Sequence, residues 1–228
     1  MPENETNLEG WKPVALPRSL TLRGSHVTLE PLSAERHADA LWRATAGHDE
    51  VWAWLADGPY AAEANLRRAV EEKQKGLSAV FLSIVPAMSG VAAGYASYMR
   101  MDPAQGVIEV GNILLSPALQ RTTAATEAMY LMACHIFEDL GYRRYEWKCN
   151  SKNEPSRRAA LRLGFTFEGI FRQHMVVKGQ NRDTAWFSML DKEWPARKSS
   201  FEAWLDPANF DGDGRQRKSL AQLSGCTS

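Results

Sequence analysis

The stretch GVIEVGNILLSPALQRTTAATEAMYLMACHIFEDLGYRRYEWKCN, residues 106–150, decides the architecture. Its first twelve residues, GVIEVGNILLSP (106–117), form an apolar run of strand character. From 118 to 140 the apolar positions Ala125, Met129, Met132, Ile136 and Leu140 recur at helical spacing, and Gly141 supplies a C-terminal cap. YRRYEWKCN (142–150) reads as a second strand. Strand, helix and strand in this order predict a right-handed crossover between two parallel neighbours. The junction SPALQRTTAATEA (116–128) lies where a strand feeds a helix, a common place for a phosphate cradle, yet it contains no glycine.

Working outward, GSHVTLEPL (24–32) alternates Val27, Leu29 and Leu32 with polar residues, as a half-buried strand does. Ser33 caps the following helix, SAERHADALWRAT, with Glu35 in its first turn. DEVWAWLADGPY (49–60) is aromatic and irregular, and AAEANLRRAVEEKQKG (61–76) is a helix stopped by Gly76. SAVFLSIVPAM (78–88) and GVAAGYASYMRM (90–101) are strands whose short connections predict antiparallel hairpins. Beyond 150, NEPSRRAALRLG (153–164) is a helix ending at Gly164, and 165–190 form a hairpin turning near Gly179. The order β-α-α-β-β-β-α-β-α-β-β predicts an α+β protein with a mixed, mostly antiparallel central sheet flanked by helices. Residues 1–20 read as a polar arm, 21–195 as the domain, and 196–228 as an extension. In the extension, Phe201 and Trp204 mark a short docking helix, whereas DGDGRQRKS (211–219) has the composition of a mobile tail.

Composition narrows the function. Of 228 residues, 44% are hydrophobic and 24% charged, with 27 basic against 27 acidic side chains. That balance argues against a chain built mainly for nucleic acid or an anionic membrane. No apolar run approaches the roughly 18 residues of a membrane span, and MPENETNLEG is unlike a secretory signal. Cys134, Cys149 and Cys226 are widely spaced, without metal-ligand clustering. A cytoplasmic, metal-free protein with buried thiols is expected.

Three stretches carry a family resemblance: GNILLSP (111–117), ATEA (125–128) and NEPSRRAALRLGFTFEG (153–169). With the element order from 24 to 194, they resemble the GNAT superfamily of acyl-CoA-dependent N-acetyltransferases. The branch they look most like includes the ribosomal-protein N-terminal acetyltransferases. The resemblance covers about three quarters of the chain and implies acetyl-CoA as co-substrate. It also implies two parallel strands splayed apart, with the pantetheine arm lying in the gap against the backbone of Ile113, Leu114 and Leu115. The pyrophosphate would lie on the loop opening the long helix. There the family pattern Gln/Arg-x-x-Gly-x-Gly/Ala aligns with Gln120, Arg121, Thr122, Thr123, Ala124 and Ala125. Thr123 stands where the central glycine is expected. A β-branched residue disfavours positive φ, so the loop is expected to use ordinary angles. Arg121, the hydroxyls of Thr122, Thr123 and Thr126, and the helix N-terminus offer compensation. The competing reading caps the helix at Ser116, with Pro117 at its first position and no loop.

The resemblance places Asn153 on the pantetheine arm and Ser156 beside the sulfur, where its hydroxyl can protonate the leaving thiolate. Arg158, more than Arg157, would meet the 3′-phosphate. A base must take the amine's proton; Glu109 is the first candidate because a carboxylate in VIEVGN is odd unless it faces a cavity. His174 is the second, ahead of Asp183 and Glu168. Trp52, Trp54, Tyr60 and Trp186 are expected to wall an acceptor site. Together these imply direct transfer of an acetyl group to a primary amine on a small molecule or peptide, by a monomer or homodimer. The alternatives are self-protection by acetylating an antibiotic or aminoacyl nucleotide, and a non-catalytic acyl-CoA-binding module.

Overall fold

The computed structural model describes residues 8–225; residues 1–7 of the expected arm, and Cys226, lie outside the described residues. The strands are β1 (Leu22–Arg23), β2 (Val27–Pro31), β3 (Ala79–Pro86), β4 (Gly94–Asp102), β5 (Val107–Leu115), β6 (Arg144–Asn150), β7 (Thr166–Val177) and β8 (Gln180–Leu190). They build one sheet in the order β1-β2-β3-β4-β5-β6-β8-β7. All pairings are antiparallel except β5 with β6, which are joined through a helix, as the reading of 106–150 requires.

The parallel pair is short. Cα partners run from Val107 with Arg144 to Val110 with Trp147, and the pairing stops there. The cause lies on the other side of β5. Between Tyr95–Leu114 and Ser97–Gly111 the register slips by one residue, a bulge at Asn112 and Ile113 with Asn112 at φ +50°. A bulge bends its strand, so β5 stays on β4 while its last residues leave β6. The two strands form a fork.

The helices α1 (Ala34–Thr45) and α2 (Glu63–Lys75) cover one face of the sheet. There Leu41, Leu66, Val70 and Trp52 pack with Tyr95 and Leu114. The other face carries α3 (Thr123–Cys134), α4 (Glu154–Arg162) and α5 (Trp194–Leu205) over a larger core that includes Ile108, Val110, Tyr145, Phe187, Met132 and Trp204. Ser33 does cap α1, accepting from the Arg36 amide at 3.4 Å. Gly164, at φ +92°, lets the chain reverse after α4. The β7–β8 turn takes the left-handed region at both Lys178 (φ +50°) and Gly179 (φ +73°), as a tight two-residue hairpin needs.

Two expectations are corrected. The long helix does not begin at 118, nor at Ser116. The amides of Leu119 (2.9 Å) and Gln120 (3.0 Å) donate to the Ser116 carbonyl in a turn, and α3 starts only at Thr123, so a loop exists. Its end widens into a π-helical turn, His135–Asp139. The stretch 211–219, whose composition suggests mobility, instead folds back. Phe210 pairs with Gln216, the Asn209 side chain bonds to Lys218, and Leu220 is buried in α6 (Leu220–Leu223). Trp204 explains this, since its indole N–H donates to Gln216 at 2.7 Å and its ring meets Phe210 edge-on.

Candidate active site

The fork gives the site its shape. Beyond Val110 and Trp147, the edge of β5 that faced β6 has no strand partner, leaving room for an inserted extended chain beside Ile113, Leu114 and Leu115. One carbonyl of this stretch is occupied: Gln120 donates to the Leu115 oxygen at 3.1 Å and thereby ties the loop to the fork.

Next to the fork lies the N-terminus of α3. The Thr122 hydroxyl accepts from the Ala125 amide (3.1 Å) and donates to the Leu119 carbonyl (2.7 Å), which makes it the N-cap. It is therefore engaged within the protein, contrary to its expected use as a phosphate donor. Among the described residues the amides of Thr123 and Ala124, at the first two helical positions, have no protein acceptor, as helix geometry dictates. They point along the positive end of the helix dipole. The expectation of ordinary loop angles is also corrected. Arg121 adopts φ +61°, so the left-handed residue precedes Thr123 and falls on an unbranched side chain. Thr126 is buried; its hydroxyl accepts from Arg162 at 3.2 Å and donates weakly to the Thr122 carbonyl at 3.4 Å. Arg162, half-buried beneath the Trp204 ring at 5.0 Å, is a cation that the sequence reading missed. Arg158 lies one turn earlier on the same side of α4 and is exposed.

Asn153 caps α4, its Oδ1 accepting from the Ser156 amide at 3.1 Å. The Ser156 Oγ accepts from the Trp147 indole at 3.0 Å, which leaves its proton to donate. It lies against the Cys149 thiol. Burial pushes that thiol above its usual range, so Cys149 is a poor nucleophile. Ser156 thus sits beside the end of β6, on the α4 side of the fork.

On the opposite face, directly paired residues point the same way, so Glu109, Glu146, Lys148 and Trp186 share one surface. Glu109 ion-pairs with Lys148 at 3.2 Å and Arg100 at 3.3 Å. Lys148, its side chain only 5% exposed, also meets Glu146 at 2.6 Å and lies 3.5 Å from the centre of the Trp186 ring. Arg144 continues the row, bonding Glu146 at 2.7 Å and Glu168 at 2.6 Å. Burial raises the Glu109 pKa above the ordinary carboxylate range, and the two cations restrain the rise. Lys148 had no signal in the sequence, because one lysine in YEWKCN reads as a solvated strand residue.

His174 is on β7, three strands from Glu109, its Nδ1 2.9 Å from the buried Thr184 hydroxyl and its ring beside Phe171 and Trp186. Burial first, then Arg100, Arg182 and Lys148, hold its pKa below the usual imidazole value. Glu168 is held low by Arg144, and Asp183 by the Gln173 amide and the Asn181 side chain. Both are engaged within the sheet.

The four aromatics expected as acceptor walls separate. Trp52 is 2% exposed inside the α1–α2 core, edge-on to Tyr60 at 5.1 Å, so it supports rather than lines. Tyr60 donates to Asp57 at 2.5 Å, and Trp54 is on the surface. Trp186 alone lies on the Glu109 face. Between α2, β3 and β4 is a cleft of about 480 Å³ whose lining includes Lys73, Phe81, Met99, Arg100 and Asn112, and Arg100 connects it to Glu109. Lys178, in the β7–β8 turn, donates to the Trp52 carbonyl at 3.0 Å and ties that turn to the segment after α1. Among the described residues no group of three or more His, Cys, Asp or Glu side chains gathers to hold a metal ion, and no helix is long and apolar enough to cross a membrane.

A mixed sheet with one forked parallel pair, and a capped helix N-terminus beside the fork, define an acyl-CoA-dependent acetyltransferase. The acetyltransferase (GNAT) domain model matches residues 26–166, and the chain belongs to that family of acyltransferases, whose co-substrate is acetyl-CoA. A GCN5-related N-acetyltransferase from Brucella melitensis is 47% identical and superposes with a TM-score of 0.94, over 96% of this chain and 100% of that one. A structure from Chromobacterium violaceum, described as a probable GNAT-family acetyltransferase, is 43% identical with a TM-score of 0.78, over 83% and 95% of the two chains. YdaF of Bacillus subtilis, named as a proposed ribosomal N-acetyltransferase, is 25% identical over 182 residues, 76% of this chain and 96% of its own.

Proposed function

We propose that the protein, working in the cytoplasm, transfers the acetyl group of acetyl-CoA directly to a primary amine of a peptide or small molecule. The observation that carries this reading is the buried carboxylate of Glu109 one residue before the fork opens, with the free α3 amides beside the same opening.

In this reading the pantetheine arm lies along Ile113–Leu115, with Asn153 at its side. The pyrophosphate meets the amides of Thr123 and Ala124, with Gln120, Arg121, Ala125, Thr126 and Arg162 around it and Arg158 at the 3′-phosphate. Glu109 takes the proton of the ammonium, directly or through one water, because an ammonium has no lone pair. Burial raises its pKa and so makes it a stronger base than a surface carboxylate, while Lys148 and Arg100 restrain the rise. The free amine attacks the thioester carbon, the carbon–sulfur bond breaks, and Ser156 donates its proton to the leaving thiolate. Holding both reactants in one fork supplies much of the rate. His174 faces Thr184 across Trp186 and serves better as a wall than as the base. The glycine missing from the loop is offset by the left-handed Arg121.

The test follows thiol release from acetyl-CoA across peptides, polyamines, amino acids and aminoglycosides. Glu109→Gln should lower kcat about 100-fold or more while the KM for acetyl-CoA changes little. Binding of acetyl-CoA without turnover of any amine would leave the non-catalytic reading.

A further inference from the structure

The Glu109 face holds one cation too many. Along it the charged side chains alternate as Arg100, Glu109, Lys148, Glu146, Arg144 and Glu168, and each has an opposite neighbour. Arg182 on β8 joins this face without joining the row. It lies two and four residues before Thr184 and Trp186 on the same strand, and alternate residues of a strand share a face. It is half-buried; among the described residues its side chain has neither an ion pair nor a hydrogen bond, and its Nε is wholly buried without an acceptor. A second arginine converges on it. Arg100 reaches the Met175 sulfur at 3.9 Å, and Met175 is the Cα partner of Arg182.

Removing a guanidinium from water without an acceptor is unfavourable. At a site that must also admit a substrate, such a group marks where the substrate brings an anion. Three cations, Arg100, Lys148 and Arg182, surround Glu109, whose single charge is already shared between two of them.

We propose that Arg182 is the anion seat for the acceptor on the Glu109 face of the sheet, and that the acceptor is a primary amine carrying a carboxylate or phosphate group close to that amine. This rests on the acetyl-transfer reading above. The acid group of the acceptor is held by the forked donors of Arg182, with Arg100 at its flank. The amine end is thereby directed along the Trp186 surface towards Glu109. A polyamine or an aminoglycoside, which brings only positive charge, is repelled by the same three cations.

The experiment compares matched amines at saturating acetyl-CoA: glycylglutamate against glycylglutamine, and phosphoethanolamine against ethanolamine. The wild type should favour the acidic member of at least one pair by about tenfold or more in kcat/KM, and the responding pair tells carboxylate from phosphate. In Arg182→Gln that ratio should fall to near one. Arg182→Lys should retain part of it, and Arg172→Gln, elsewhere on the surface, should keep it whole. Equal rates for both members of each pair, or a preference unchanged in Arg182→Gln, would overturn the proposal. A readout without turnover separates it from the transfer reading. With CoA bound at the α3 site, glutarate or inorganic phosphate should raise the melting temperature of the wild type, and Arg182→Gln should abolish that rise. If no amine were acetylated but this difference persisted, the transfer reading would fail and the anion seat would stand. If neither anion stabilised the CoA-bound wild type, the seat would be refuted.

Discussion

Replacing Lys148 with methionine should reveal how far this sheet depends on one buried cation. The lysine side chain and that of Glu109 are each 5% exposed, and that of Glu146 is 9% exposed, so water screens the trio little. Methionine preserves much of the apolar stem but leaves two buried carboxylates facing each other. Removing one partner of a buried pair typically costs about 3–5 kcal/mol. Arg100 and Arg144 still touch the two carboxylates, which points to the lower end, about 3 kcal/mol. For a chain of this size that corresponds to a fall in Tm of roughly 6–12 °C. The pH dependence has a definite sign. Burial has already raised the folded pKa of Glu109, so its protonated form favours the folded state, and that contribution is lost as pH rises through the folded pKa. Without Lys148 the folded pKa rises further. The gap in Tm between wild type and Lys148→Met should therefore narrow as pH falls from 8 to 5. Thermal unfolding followed by circular dichroism measures it, and Glu109→Gln combined with Lys148→Met should recover part of the loss. A variant within 1 kcal/mol of the wild type, or a gap indifferent to pH, would refute this view of the charge row.

Other perturbations separate the remaining roles. Ser156→Ala should lower kcat by about 10- to 100-fold with the KM for acetyl-CoA nearly constant; thiol release measures both, and full activity would remove Ser156 as the acid. Thr122→Ala should cost about 1 kcal/mol through the lost N-cap and weaken acetyl-CoA binding, whereas Thr123→Gly should leave affinity within about threefold because the ligand there is the amide. Isothermal titration distinguishes the two, and a large loss in Thr123→Gly would assign the contact to its hydroxyl. Gly94→Ala would bring a Cβ within 2.2 Å of the Leu114 carbonyl oxygen, a backbone atom of the fork. It should destabilise the protein by about 3 kcal/mol or more and weaken acetyl-CoA binding, both readable in a ligand-dependent thermal shift.

The fold was legible because its signals are local and repeated. Val27 and Leu29 announce a strand by alternation, Met129, Met132 and Ile136 a helix by spacing, and Gly164 and Gly179 the turns that close two elements. The loop after β5 was harder. Proline at 117 after a serine looks like a helix start, and only tertiary contacts, Leu119 buried below and Gln120 tied to Leu115, postpone the helix to Thr123. Glu109 stood out in the sequence as a carboxylate within an apolar run. Its partners did not, since Arg100 and Lys148 lie 9 and 39 positions away and only strand register unites them. Trp52 was misread because aromatic density does not tell a wall from a core. The tail was misread because glycine and charge hide the anchoring by Trp204.

The single residue inserted at Asn112 and Ile113 has a consequence in counting. Before it, Ile108 and Val110 face the core under α3; after it, Leu114 faces the core under α1 and α2. The core under α3 is therefore met by even-numbered residues, Ile108 and Val110, before the bulge and by odd-numbered ones, Ile113 and Leu115, after it. The fork depends on the length of this segment, because the extra residue makes the bulge. A deletion at Asn112 would remove the bulge: Ile113 would pair with Ala96, Leu114 would keep its face beside Tyr95, and the straightened strand would run on beside β6 and close the fork.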